Sequence, residues 1–158
     1  MFKIEILTKK GFKNSHGKHV LSDITGIGIR NVIKVEYSPL YIIDGDINFV
    51  EAKMIASELL SDKIIETYTV NNHSEHDSKS TATFNCALFV VEVWYKTGVT
   101  DTVSESVMKA VKDLGIIKEM KVKMGHKYYL YGKISQTVLN NIATKLLANT
   151  LIQEYKIK

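Results

Sequence analysis

Apolar and polar residues alternate from the second residue onward. Phe2, Ile4 and Ile6 stand against Lys3 and Glu5, the period-2 pattern of a strand with one buried face, here Phe2–Thr8. The pattern then lengthens to helical spacing over Ser15–Ile27, and Gly28 is the expected stop. Ile33, Val35 and Tyr37 mark a second strand over Val32–Tyr37. Ser38-Pro39 is read as a turn, and a third strand runs over Leu40–Asp44. Ala52, Ile55, Ala56 and Leu59 line one face of a helix over Ile47–Leu60, and a fourth strand covers Ile64–Val70.

The same order returns further along. The strand Phe89–Tyr95 precedes a helix over Thr102–Leu114, with Thr102 as expected N-cap, Glu105 closing a capping box and Gly115 as stop. Strands follow over Glu119–Met124 and Lys127–Lys133, separated by an expected turn at Gly125-His126. A helix over Ser135–Leu147 and a strand over Leu151–Ile157 complete the set. Shifting the sequence by 87 positions lays residues 1–71 on 88–158 without a gap and gives 18 identities in 71 pairs. Ordinary composition gives about four or five by chance. Phe2/Phe89, Glu5/Glu92, Lys9/Lys96, Gly45/Gly132, Leu59/Leu146 and Tyr68/Tyr155 are among them. The chain is therefore read as a repeat: a first unit at 1–71, a polar connector at 72–87 and a second unit at 88–158.

Each unit reads β-α-β-β-α-β. The expected fold class is α+β, with each repeat a two-layer α/β sandwich carrying an antiparallel sheet, and the two arranged as a pseudo-dimer. About 71 residues is close to the lower limit for a self-sufficient core. The face of each sheet away from its helices must then meet solvent or a partner. In the second repeat that face offers Val90, Glu92 and Trp94, and two of these are poor solvent residues. The copies are expected to cover one another's sheet faces or to join edge to edge, with part of the surface docking another protein. Val90, Trp94, Tyr129 and Tyr131 are the candidate subunit contacts.

Charge changes this picture little. The chain of 158 residues carries 21 basic and 17 acidic side chains, and Arg30 is the only arginine. Nucleic-acid recognition favours the guanidinium fork, so the lysines read as a solvated surface and no nucleic-acid partner is expected. The aromatic run Tyr128, Tyr129, Tyr131 resembles a base-stacking sheet, but Tyr41 alone matches it in the first repeat, and core packing with sheet-face contact is the favoured reading. No run of about 18 apolar residues occurs, so no membrane span is expected. One cysteine, Cys86, and no signal-peptide pattern point to a reduced, cytoplasmic protein.

Candidate chemistry is sparse. Gly26-Ile27-Gly28 lacks the third glycine of a dinucleotide loop, and no phosphate loop occurs. Cys86 has no base or glycine-rich elbow beside it and reads as a structural thiol. His16 with His19, and His73 with His76 beside Glu75 and Asp77, have a spacing that suits zinc. Neither pair has further ligands on a rigid element, so a helix start and a polar linker are favoured. Glu5 and Glu92 read as cross-strand ion-pair partners rather than as an acid–base pair. No catalytic, cofactor-binding or metal-binding residue is assigned.

The second repeat ends Lys145-Leu146-Leu147-Ala148-Asn149-Thr150-Leu151-Ile152-Gln153-Glu154-Tyr155. This ending resembles the C-terminal signature of PurS, the small subunit of phosphoribosylformylglycinamidine synthase. Leu59-Leu60-Ser61-Asp62-Lys63-Ile64-Ile65-Glu66-Thr67-Tyr68 resembles the version in PurS-like regions of longer synthases. Lys10-Gly11-Phe12 with His16-Gly17-Lys18-His19-Val20-Leu21 is similar to the segment leading into that family's first helix. The resemblance implies a non-catalytic subunit of a glutamine-dependent ligase of purine biosynthesis. It bridges two partners: PurL, which carries ATP, Mg and the substrate chemistry, and PurQ, which releases ammonia from glutamine. No cofactor belongs to this chain on that reading. The family's usual PurS is one copy long and dimeric, so a tandem chain would stand in for the dimer, with self-association of the chain a further expectation. The alternative from another class is a ferredoxin-like tandem regulatory protein that binds small molecules, as ACT-type modules do.

Overall fold

The structure, a computed structural model, describes residues 1–72 and 87–158. Most of the polar connector, with His73, His76 and Cys86, lies outside the described residues. The elements are β1 (Phe2–Thr8), α1 (Ser15–Gly26), β2 (Val32–Gly45), α2 (Phe49–Ile55), β3 (Glu66–Asn72), β4 (Ala87–Tyr95), α3 (Thr102–Asp113), β5 (Met120–Gly132), α4 (Gln136–Ile142) and β6 (Gln153–Ile157). The class is α+β: among the described residues six strands form one antiparallel sheet in the order β3-β1-β2-β5-β4-β6, accompanied by four α-helices.

Both the helices and the turns that follow them recur at the 87-residue offset. α1 and α3 match residue for residue, as do α2 and α4. α2 and α4 each run on into one π-helical turn, Ala56–Leu60 and Ala143–Leu147. These turns close on bonds spanning five residues, Ser61 N to Ala56 O at 3.1 Å and Ala148 N to Ala143 O at 2.8 Å. The helices expected over Ile47–Leu60 and Ser135–Leu147 are thus shorter α-helices with a widened last turn.

Three further expectations are corrected. Each repeat contributes three strands, not four, because no turn forms at Ser38-Pro39 or Gly125-His126; β2 and β5 run straight through both sites. The N-cap of α3 is Asp101, not Thr102. Its carboxylate accepts Val103 N at 3.2 Å and Ser104 N at 3.1 Å, and a carboxylate outcompetes a neighbouring hydroxyl for the exposed amides and the positive helix end. The last strand of each repeat starts two residues later than expected, because a side-chain-capped turn occupies 62–65 and 149–152.

The described chain divides into two compact units that do not coincide with the sequence halves. One holds Met1–Phe12, 38–72 and Gly98–Gly125; the other holds Lys13–Tyr37, 87–97 and His126–Lys158. The boundaries within β2 and β5 fall at the two expected turn sites. A turn would return the chain to the unit it came from, whereas the extended strand carries it into the other.

In the first unit β1 pairs antiparallel with β3 along its length, Phe2 opposite Asn72 and Thr8 opposite Glu66. On its other side β1 pairs with the second half of β2, Phe2 opposite Ile43 and Glu5 opposite Leu40. Ile4, Ile6, Ile43, Ile55 and Val111 are buried together, so α3, from the later half of the sequence, seals this core with α2. In the second unit β4 pairs with β6, and Val91, Val93, Leu130, Leu139 and Ile142 are buried with Ile24 of α1. Each core thus borrows its second helix from the other half of the chain.

Close backbone approach explains two glycines. A Cβ at residue 132 would run into Asn31 O and Val32 Cα, where Lys133 N donates to Asn31 O at 3.1 Å. A Cβ at residue 45, in the equivalent place, would run into Glu119 O.

Candidate interaction surfaces

Three groups of side chains stand out, each within one unit. The first lies on the sheet face of the second unit away from its helices. Alternation along β4 sends Val91 and Val93 into the core, so Val90, Glu92 and Trp94 take the other face; in β5, Tyr128 and Leu130 are core and Lys127, Tyr129 and Tyr131 are not. β4 and β5 are neighbours in the sheet, so all four expected contact residues share one face. Val90, Trp94 and Tyr129 are half-buried, and Tyr131 is 8% exposed. The Tyr131 hydroxyl donates to Glu36 Oε2 at 2.8 Å. Lys34 pairs with the same carboxylate at 2.7 Å and lies 5.0 Å from the Tyr131 ring centre. Tyr131 is therefore held in a structural network, while Val90, Trp94 and Tyr129 keep surface to offer. Lys127 Nζ sits 4.9 Å from the ring centre of Tyr129. The buried Glu92 takes an ion pair from Lys158 at 3.2 Å, in keeping with the cross-strand role expected for it.

The second group lies at the start of α1. Asn14 caps the helix, its Oδ1 accepting Gly17 N at 2.8 Å. His16, one residue into the helix, lays its ring 4.0 Å from that of Tyr37 and 6.0 Å from that of Tyr128. The Tyr37 hydroxyl lies 2.9 Å from His126 Nδ1. Burial among these rings lowers the His16 pKa below its ordinary value, and the nearby charge of His19 adds to the effect. Burial alone pushes the Tyr128 hydroxyl up to about 12. His16 and His19 do share α1, as their spacing requires, but His16 is committed to aromatic packing. The 87-residue equivalents of His16, Tyr37 and His126 are Val103, Met124 and Pro39, so this cluster belongs to one unit only.

The third group is a turn that occurs in both units. In the first, Asp62 Oδ1 accepts Ile64 N at 2.7 Å and Ile65 N at 3.2 Å, Glu66 Oε2 accepts Asp62 N at 2.8 Å, and Lys9 Nζ donates to Lys63 O at 2.6 Å. In the second, Asn149 Oδ1 accepts Leu151 N at 3.1 Å, Gln153 Oε1 accepts Asn149 N at 2.8 Å, and Lys96 Nζ donates to Thr150 O at 2.6 Å. Sequence reasoning passed over this turn and placed a strand there. The signal was present in the equivalence of Lys9 with Lys96 and of Asp62 with Asn149.

Among the described residues, no three His, Cys, Asp or Glu side chains gather as metal ligands. A groove in the first unit runs beside α3, lined by Met108, Lys109, Lys112, Glu119 and Lys121; its mixed charge suits no single small ion. No helix among the described residues is long and apolar enough to cross a membrane. Compared with known proteins, residues 88–158 match the family described as PurS: Phosphoribosylformylglycinamidine (FGAM) synthase. The match spans the whole of the second repeat. No curated protein matches the chain.

Proposed function

We propose that the chain, whose residues 88–158 match the PurS family, serves FGAM synthase in purine biosynthesis as a non-catalytic subunit bridging the PurL and PurQ subunits. The observation that carries the reading is the family match over one full repeat, joined to the recurrence of the same elements 87 residues earlier. Residues 1–71 are then a second PurS-like copy. One chain supplies what two single-copy subunits supply elsewhere, and one tandem chain serves one PurL.

The side-chain chemistry supports a scaffold. The polar groups described above are spent on capping, strand pairing and aromatic packing. ATP and Mg belong, on this reading, to PurL, and the protein works in the cytoplasm. The half-buried face of Val90, Trp94 and Tyr129 is offered as one docking surface, with Tyr131 buried on the same face.

Co-expression of the chain with PurL and PurQ from the same host tests the proposal. The expected result is a complex of all three, holding one tandem chain per PurL, that converts formylglycinamide ribonucleotide to FGAM with ATP and with glutamine as the ammonia donor, and loses that activity when the chain is omitted. Two tandem chains per PurL would reject the stoichiometry. Full glutamine-dependent activity without the chain would reject the function.

A further inference from the structure

The groove beside α3 lies wholly within the first unit and encloses about 920 Å³. Small-molecule sites span about 300–1,000 Å³. Its apolar lining includes Met108 and Met120, both half-buried and packed against the core of the unit. Lys118 in its wall is held at 2.9 Å by Glu51, whose carboxylate also closes the capping box of α2. The ammoniums of Lys109, Lys112 and Lys121 and the carboxylates of Asp44, Glu105 and Glu119 line the groove too. Among the described residues none of these six side chains has a hydrogen bond or an ion pair.

The second unit shows what this groove lacks. Shifted by 87 positions, Asp44 falls on Tyr131, Gly45 on Gly132 and Lys121 on Lys34. In the second unit Lys34 Nζ lies 5.0 Å from the centre of the Tyr131 ring, which is buried. In the first unit an aspartate takes the place of the tyrosine, so no ring covers Lys121, and Asp44 and Lys121 are both exposed. The helix wall differs as well. Lys109 and Lys112, three apart on one face of α3, stand where the second unit has Ser22 and Thr25. The first unit thus has one ring fewer and two ammoniums more than its counterpart. A solvated helix face accounts for the two lysines of α3; it does not account for the missing ring in the same groove.

The lining selects a ligand by its chemistry. Three ammoniums and three carboxylates balance, so an ion of one sign alone meets as many repelling groups as attracting ones. A molecule with an anionic end and neutral hydroxyl donors suits both sets, because carboxylates accept hydrogen bonds and ammoniums donate them. A flat ring fits the place that Tyr131 holds in the other unit, over a lysine and near thioethers. A nucleoside monophosphate combines all three features. We propose that the groove binds a nucleoside monophosphate, with its phosphate on Lys109 and Lys112, its sugar hydroxyls donating to the carboxylates and its base over Lys121. The inference is independent of the scaffold function, since no partner subunit enters it.

Calorimetric titration of the full-length chain with AMP and with UMP tests it, adenosine and inorganic phosphate serving as the separate parts. A nucleotide is expected to bind at a single site, and each part about tenfold more weakly or worse, since losing a charge-assisted contact costs about that factor. Lys109→Gln and Lys112→Gln are each expected to weaken nucleotide binding about tenfold with an unchanged melting temperature. Asp44→Tyr, which supplies the ring of the second unit, is expected to abolish binding; if its melting temperature falls, the lysine variants decide alone. Lys145→Gln, an exposed lysine outside the groove, is expected to bind as the wild type does. Phosphate that binds as tightly as the nucleotides would mean an adventitious ion only and would overturn the site. Absence of binding by both nucleotides would overturn it too, and either result leaves the scaffold function standing. Lysine variants that bind as the wild type does would put the nucleotide elsewhere and overturn the assignment to this groove.

Discussion

Asn14 is hydrogen-bonded to the backbone of Tyr37 in both directions: its Oδ1 accepts Tyr37 N at 3.2 Å and its Nδ2 donates to Tyr37 O at 2.7 Å. The same Oδ1 caps α1. Asp101 repeats the arrangement in the other unit, capping α3 and accepting Met124 N at 3.0 Å. One short side chain thus fixes a helix start and a strand at once. Asn14→Ala should cost about 2 kcal/mol, the sum of a lost cap and strand groups left without a partner. Urea unfolding would check it, and a cost of a few tenths would show that the strand bonds are replaced by water.

The glycine at 132 is held by contact, not by conformation. Gly132→Ala should destabilise by about 2 kcal/mol, since the added methyl meets strand backbone that has no room to yield. Gly26→Ala is the matched contrast: nothing lies near its Cβ and it sits within α1, so a gain of about 0.5 kcal/mol or more in helix propensity is expected. Paired denaturant midpoints decide both.

His16 makes stability depend on pH. Its pKa in the folded protein lies below the ordinary 6.5, because burial among rings opposes the charge. Below pH 6.5 the unfolded chain therefore binds the proton more readily than the folded one. The contribution is intact above about pH 7 and is lost as pH falls through 6.5 towards the folded value. His16→Gln should flatten the difference between unfolding curves taken at pH 7.5 and pH 5; an identical pH slope in wild type and variant would refute it.

Lys158→Met should destabilise by about 1 kcal/mol, because it leaves the buried Glu92 carboxylate without its ammonium, and the exposed half of Lys158 keeps the effect modest. Unfolding in urea at pH 7 measures it. Equal stability would mean that the other contacts of Glu92 suffice.

Trp94 is the only tryptophan and is half-buried, so it reports on the docking face proposed for it. Acrylamide quenching of its emission should fall when PurL binds. Quenching that does not change on binding would remove this face from the contact.

What could be read from the residues, and what could not, divides by the range of the interaction. α1 and α3 were legible within a residue or so, because Val107, Val111 and Leu114 repeat at helical spacing and Gly115 stops the helix locally. The core face of β1 was legible from alternation. The run through Pro39 was not: Ser38-Pro39 is a sound local turn signal, and only the destination of the strand in another compact unit overrides it. The N-cap was misplaced by one residue because Thr102 with Glu105 fits a capping box, while Asp101 also has a strand amide to satisfy. The contact face was partly legible. Period-2 alternation put Val90 and Trp94 on the open side, but burial of Tyr131 depends on Glu36 and Lys34, some 95 residues away along the chain. The capped turns at 62–65 and 149–152 were hidden for the same reason, since Lys9 and Lys96 reach them across 54 residues.

The interleaving of the two cores bears on what a nick in the connector would leave. A fragment ending there keeps Ile4, Ile43 and Ile55 but surrenders Val111, Ile116 and Val122; its complement keeps Val91, Leu130 and Ile142 but forfeits Val20, Ile24 and Val35. Neither piece retains the apolar lining it needs, so severed fragments regain order only by reassociating. A chain with interleaved cores of this kind resists fission: a cell that split it would have to produce both products together and in equal supply.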